Sequence, residues 1–345
     1  LFSRSPKKLH CIDINENNLV ELVRDIRSSY GYTKGEFKTF VIDAGSENFW
    51  NFLDKNNSYD YVLNLSALKH VRSESDIFSL LRMIEVNILN TVNSLDIFKS
   101  SQLKKYFCVS TDKAANPVNL MGASKRIMEL FLSRYHNDLD ISSARFANVA
   151  FSNGSLLDGF SFRLKKKQPL AAPIDIERYF VTPKESGELC LMSCLLGLGG
   201  DIFFPKLNED IHLIKFSDIA IRFLKSKGYE PYFCESEDEA REDIDNFIKD
   251  NRWPCFFDKS NTTGEKPFEE FYRSGEKLDM KRFKEIGIVK NTFEIEEALL
   301  KDFIEEVYKL KGNPKTSKKD ILNLFKICIP YFDHYETDKF LDDKM

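Results

Sequence analysis

The stretch FCVSTDKAANPVNLMGASKRIMEL, residues 107–130, decides how the rest of the chain is read. Phe107, Cys108 and Val109 make a short apolar strand. A polar turn, Ser110-Thr111-Asp112-Lys113, ends it, and a loop carrying Pro117 leads into a helix. On that helix Met121 and Lys125 are four residues apart, so both project from one face. Two hydroxyls, a carboxylate and two amines thus converge where a strand ends beside a helix. In an open α/β sheet that is where ligands bind. Taken singly the residues read more plainly: a polar turn after a strand is a turn, and a helical Met is core.

Strand and helix signals alternate upstream. Residues 9–14 (LHCIDI) read as a strand ending in Asp13. Residues 16–29 read as an amphipathic helix with Leu19, Leu22, Val23 and Ile26 on one face. Residues 37–42, 61–65, 105–109 and 141–146 give further strands, and 75–100 a long helix. The alternation predicts an α/β fold, a Rossmann-type doubly wound parallel sheet. Such a unit opens with a strand, a Gly-rich turn and a helix. Here the first glycine is Gly31. The expectation is that the first strand and Gly-rich loop, roughly 25–45 residues, precede Leu1.

The chain has 345 residues, which suits one or two domains. A net charge of −4 argues against general nucleic-acid binding, and the run Lys165-Lys166-Lys167 reads as solvated surface. The seven cysteines are scattered and read as reduced thiols, with Cys190 and Cys194 in the core. No apolar run reaches the ~18 residues of a membrane span, and no signal peptide is expected. A cytoplasmic protein is expected. The acidic stretch 235–250 reads as a solvated excursion.

The segments S-T-D-K-A (110–114), N-P-V-N (116–119) and M-G-A-S-K-R (121–126) resemble the active-site region of extended short-chain dehydrogenase/reductases. More narrowly, they resemble the polysaccharide-biosynthesis branch that holds the UDP-N-acetylglucosamine 4,6-dehydratases. Further segments repeat the likeness: SALKHV (66–71), RFANV (145–149), RYFVT (178–182), FFPK (203–206) and TTGEKPFEEF (262–271). The resemblance implies that residues 1–150 form an NAD-binding domain. Residues 151–345 then form a smaller nucleotide-sugar-binding and C-terminal helical region.

It also implies a site. Asp13, Asp43, Ala67, Lys69, Ser110 and Lys125 would meet NAD. Asp13 is placed to accept the ribose diol, and it equally suits a helix N-cap. His70, Asn148, Arg178 and Lys206 would meet a UDP-sugar, the arginine because its guanidinium forks onto phosphate oxygens; Lys206 also reads as a surface lysine. Asn87 would support the loop at 66–71. In a 4,6-dehydratase hydride leaves C4 of the sugar, a base takes the C5 proton, water leaves from C6, and the hydride returns to C6. Asp112 would be the acid for the C6 hydroxyl. Lys113 would be the C5 base, which requires a lowered pKa. Met121 stands where the superfamily usually has Tyr and cannot take the C4 hydroxyl proton. Thr111 or Asp112, directly or through a water, is then the candidate.

Two alternatives stand beside this reading. A nucleotide-sugar 4-epimerase on the same fold needs no acid at C6. A non-catalytic nucleotide-sugar-binding protein would suit Met121 and the absent glycine loop. Residues 293–311 and 315–329 read as amphipathic helices followed by a tail, 331–345. A closing helical region that packs on a neighbouring copy suits a homo-oligomer.

Overall fold

The computed structural model describes all residues except 57, 207–212, 243, 291–294, 338 and 340–345. The first half runs β1 (Lys8–Asp13), α1 (Glu16–Tyr30), β2 (Glu36–Val41), α2 (Glu47–Lys55), β3 (Tyr61–Asn64), α3 (Ile77–Ile84), α4 (Asn90–Lys99), β4 (Lys105–Thr111), α5 (Leu120–Tyr135), β5 (Ile141–Phe146) and β6 (Asn148–Val149). The second runs α6 (Leu156–Lys165), β7 (Leu170–Pro173), β8 (Glu177–Arg178), β9 (Phe180–Val181), α7 (Pro183–Leu196), β10 (Asp201–Pro205), β11 (Ile214–Lys215) and α8 (Phe216–Ser226). It closes with β12 (Glu230–Phe233), α9 (Glu237–Arg241), α10 (Ile244–Lys249), β13 (Arg252–Asp258), β14 (Leu278–Asp279), β15 (Ile286–Lys290), α11 (Glu297–Gly312) and α12 (Lys318–Cys328).

The main sheet has the order β14-β15-β10-β5-β4-β3. Strands β3, β4, β5 and β10 are parallel, and β15 and β14 close the far edge antiparallel. This is the Rossmann-type α/β layout that the alternating pattern predicts. β1 and β2 form a separate parallel pair, with no ladder between β1 and β3. His10 of β1 links the two pieces: Nδ1 lies 2.7 Å from the Tyr59 hydroxyl and Nε2 2.6 Å from Glu36.

Side chains alternate across β4 as the pleat requires. Tyr106 and Cys108 pack with Leu95, Phe98, Met128 and Leu132 under α4 and α5. Phe107 points the other way, onto Leu189 and Cys194 of α7. α11 and α12 bury their apolar stripe on α3 and α5 of the same chain, where Phe303, Val307, Leu324 and Phe325 meet Leu80, Met83, Ile127 and Phe131.

β10, β14 and β15, all after residue 150, belong to the main sheet. The acidic stretch is not a bare excursion. Ala240 is buried, and Ile244 and Ile248 pack on a small parallel sheet, β12-β13-β7, cored by Leu170, Trp253 and Cys255. The helix expected over 75–100 is interrupted by a π turn, Glu85–Leu89, between α3 and α4. All seven cysteines are free thiols. No helix among the described residues is long and apolar enough to cross a membrane.

Candidate active site

Strand β4 delivers the central residues. Thr111 donates to Asp112 Oδ1 at 2.9 Å, and the same oxygen accepts from the Lys113 backbone at 2.8 Å and from Lys113 Nζ at 3.2 Å. Asp112 is buried. The N-terminus of α5 is seated against this turn by Asn119, whose Oδ1 accepts the Gly122 N–H at 2.7 Å. A Cβ on Gly122 would come within 2.6 Å of the Lys113 carbonyl. Gly122→Ala should therefore push α5 off the turn and cost about 1–3 kcal/mol, read by urea unfolding.

Lys125, one turn further on, is buried; its Nζ donates to the Val109 carbonyl at 3.1 Å and lies 3.7 Å from Met128 Sδ. Burial lowers the amine from its ordinary value. Met121 belongs to the α3–α5 core, and its N–H donates to the buried Glu74. Ser110 turns its hydroxyl away, onto Glu129 at 2.7 Å.

The second half closes over the turn. The parallel pairing of β6 with β9 brings Asn148 beside the Arg178 segment. The Asn148 side-chain amide nitrogen is buried without a hydrogen-bond partner. Arg178 is buried and donates to the carbonyls of Glu177, Lys266 and Pro267, with Glu265 at 3.7 Å and Glu269 at 3.9 Å. Glu269 had no role in the sequence reading. Its Oε1 lies 3.9 Å from Lys113 Nζ, and its Oε2 is buried without a hydrogen bond. Burial pushes the Glu269 carboxyl up, against the pull of Lys113, and Asp112 adds to the rise. Burial works to lower the Lys113 amine, but Asp112 and Glu269 outweigh it and hold the amine above its ordinary value. A C5 base would need the opposite shift.

The segment 262–271 is a wall of this site. Gly264 takes φ +67°, and a Cβ there would meet Asn119 Cβ at 2.5 Å. Its carbonyl accepts from Asn119 Nδ2 at 2.7 Å, while its N–H donates to the Tyr335 carbonyl at 2.9 Å. The described part of the expected tail thus straps the site. Tyr335 N–H donates to Val118, and His334 Nε2 lies 2.9 Å from Glu74.

The remaining expected residues are more dispersed. Lys69 donates to the Asn153 carbonyl at 2.8 Å, and a Cβ on Gly154 would meet His70 Nε2 at 3.2 Å. Burial, with Lys69 and Arg72, lowers the His70 pKa. Asn87 faces inward from the π turn and pairs with both backbone groups of Leu68, supporting that loop. Ala67 is exposed beside it. Lys206 gives its amine to the carbonyls of Met280, Phe283 and Lys284. An ammonium has three donors, so none is left for a phosphate in this arrangement. Asp13 ends β1 and accepts the Asn15 N–H at 2.7 Å, while Asn15 itself caps α1. Asp43 lies two residues past the end of β2 and pairs with Arg82 at 2.6 Å.

These elements define the class: a Rossmann-type α/β protein with a buried polar site at the carboxyl ends of its strands. The chain belongs to the polysaccharide biosynthesis protein family, whose sequence profile matches residues 1–291. It is 30% identical to an uncharacterised membrane protein of Methanocaldococcus jannaschii, over 67% of this chain and 68% of that protein. It is 28% identical to the capsular polysaccharide biosynthesis protein CapD of Staphylococcus aureus over 64% of this chain, but spans only 37% of CapD. A UDP-glucose 4-epimerase of Rickettsia typhi is 28% identical over 64% of this chain and 67% of its own length. Among solved structures, Pen of Bacillus thuringiensis superposes with a TM-score of 0.67 at 18% identity, covering 89% of this chain and 91% of Pen. The dTDP-glucose 4,6-dehydratase DesIV of Streptomyces venezuelae, solved with NAD bound, gives 0.57 at 15% identity, with 76% and 78% covered.

The residues present fit part of a dinucleotide site. Lys125 offers a buried amine with one carbonyl partner and no carboxylate pair among the described residues. Asp13 stands at the end of β1, where a ribose diol would be accepted.

Proposed function

We propose that the protein is an NAD-dependent nucleotide-sugar 4,6-dehydratase acting on UDP-N-acetylglucosamine in glycan or polysaccharide precursor synthesis. The observation that carries this reading is the ion pair of buried Asp112 with half-buried Lys113 just after β4, together with the buried Lys125 of α5. An acid and a cation side by side suit the removal of a C6 hydroxyl, and a 4-epimerase has no use for them. NAD, when bound, would supply the hydride acceptor at C4 and the donor at C6. Lys125 would hold the nicotinamide ribose, and Asp13 the adenosine ribose. Thr111, bonded to Asp112, or Asp112 itself would take the C4 hydroxyl proton, directly or through a water, because Met121 cannot. The unpaired Asn148 amide would approach the nucleotide-sugar. A homo-oligomer in the cytoplasm fits a supplier of activated sugars.

The test is the protein incubated with UDP-N-acetylglucosamine and NAD, with the sugar followed by NMR. A new C6 methyl doublet is expected, and Asp112→Asn should abolish it. Appearance of the C4 epimer without a methyl signal would replace the dehydratase with the epimerase. Bound sugar without turnover would leave a binding protein.

A further inference from the structure

Lys113 presents a difficulty for that function. Its ammonium is held between two carboxylates, Asp112 at 3.2 Å and Glu269 at 3.9 Å. An ammonium has no lone pair and cannot take a proton from carbon. The amine must first lose one of its own protons, and a group must stand ready to receive it.

Glu269 is that group by position. Its side chain is 2% exposed, so bulk water does not compete for it. Three cations surround it, none at hydrogen-bond distance: Lys113 and Arg178 each 3.9 Å from Oε1, and Lys266 3.6 Å from Oε2. Oε2 is a buried oxygen with no hydrogen-bond partner. Glu270, the next residue, faces outward and pairs with Asn116 at 2.7 Å. The choice of Glu269 as the inward residue is thus made by the loop that Gly264, Asn119 and Arg178 pin in place.

We propose that Glu269 is the proton partner of Lys113. The N–H bond of the ammonium breaks, an O–H bond forms on Glu269, and the nitrogen recovers its lone pair. The neutral amine then takes the C5 proton as the C–H bond breaks, returns it to C5 after the hydride has added to C6, and, neutral once more, recovers its own proton from Glu269. Excluding water from the pocket works against both charges and so lowers the cost of the transfer, against the hold of Asp112 on the ammonium. The charged groups facing the pair are Asp112 from β4, Arg178 from β8 and Lys266 from the loop itself. Glu265 faces Arg178 rather than Lys113. In this scheme Glu269 acts through Lys113 and is a positioning residue. The scheme rests on the dehydratase reading, but the pairing can be measured without it.

The experiment compares wild type with Glu269→Gln, Glu269→Asp and the outward control Glu270→Gln. Competitive acetylation, resolved by mass spectrometry, reads the Lys113 amine across pH. Glu269→Gln removes a carboxylate that holds the ammonium. Lys113 should then acetylate about tenfold faster near pH 8, with its profile moved to lower pH. Glu269→Asp should recover most of the wild-type profile, and Glu270→Gln should match it. In the methyl-signal assay Glu269→Gln should lose roughly a hundredfold in kcat with little change in KM. An unmoved acetylation profile in a folded Glu269→Gln protein overturns the pairing. A moved profile with undiminished kcat overturns the proton transfer. A moved profile in a protein that turns over no nucleotide-sugar upholds the pairing and removes the dehydratase reading.

Discussion

Lys125→Met should lose turnover by roughly two to four orders of magnitude while unfolding at the same temperature as wild type or higher. The two halves of this result have one cause. The amine is buried, with one backbone carbonyl and a thioether as neighbours. A buried ammonium without a carboxylate partner costs the fold free energy. Methionine fills the same channel without that cost. A lysine kept for structure would behave in the opposite way, and a lower unfolding temperature for Lys125→Met would mark it as one. The pH dependence has a definite sign. Burial lowers the folded-state pKa of Lys125 below the ordinary 10.5, so between the two values the unfolded chain binds more protons. Stability then rises with pH through that window. The gap between Lys125→Met and wild type should be widest at neutral pH and close as the pH approaches 10.5, in thermal unfolding followed across that range.

What the sequence discloses of this arrangement follows the range of the interactions. The strand at 105–109 and the turn after it are local, and both stand out as an apolar run broken by Ser110-Thr111-Asp112. The plain reading of Met121 as core is also local, and the residue lies in the α3–α5 cluster. Glu269 could not be found this way. The pair Glu269-Glu270 gives no sign of which carboxylate faces inward, and Lys113 lies half the chain away. The π turn at Glu85–Leu89 is hidden because its residues keep a helical apolar spacing. It is specified by Asn87 reaching the Leu68 backbone and Ser124, partners from two other segments. The role of residues 331–337 is likewise long-range. Tyr335 bonds to Val118 and Gly264 through backbone groups that carry no sequence signature, and the Thr337 N–H donates to the Thr263 hydroxyl.

Glu129→Gln should cost about 3–5 kcal/mol in urea unfolding at neutral pH, the largest stability loss expected of any residue near the site. Glu129 and Arg145 are both fully buried. Arg145 forks onto Glu129 at 2.9 and 2.8 Å, binds Glu276 at 2.9 Å and donates to the Phe271 carbonyl at 2.8 Å. Arg126 adds a bond to Glu129 at 2.9 Å. Among the described residues, neutralising Glu129 leaves the buried guanidiniums of Arg126 and Arg145 facing the Glu276 carboxylate, which is why the loss exceeds that of an ordinary hydrogen bond. Removing a charge of each sign should hurt less. Glu129→Gln combined with Arg145→Met is expected to recover part of the loss, and a purely additive double mutant would show that the two charges do not stabilise one another. Burial pushes the Glu129 carboxyl up, but Arg145 and Arg126 override it and bring it to about 2. A lowered folded-state pKa means that the contribution is complete above the ordinary 4.5 and is lost as pH falls toward 2. The Glu129→Gln protein should therefore show a flatter acid limb than wild type. The network also reaches the chemistry: Ser110 donates to Glu129, and the Phe271 carbonyl anchors the loop that carries Glu269. Glu129→Gln should loosen both walls of the site at once. Lys113 acetylation in Glu129→Gln should accordingly drift toward the Glu269→Gln profile, although the mutated side chain touches neither residue of that pair.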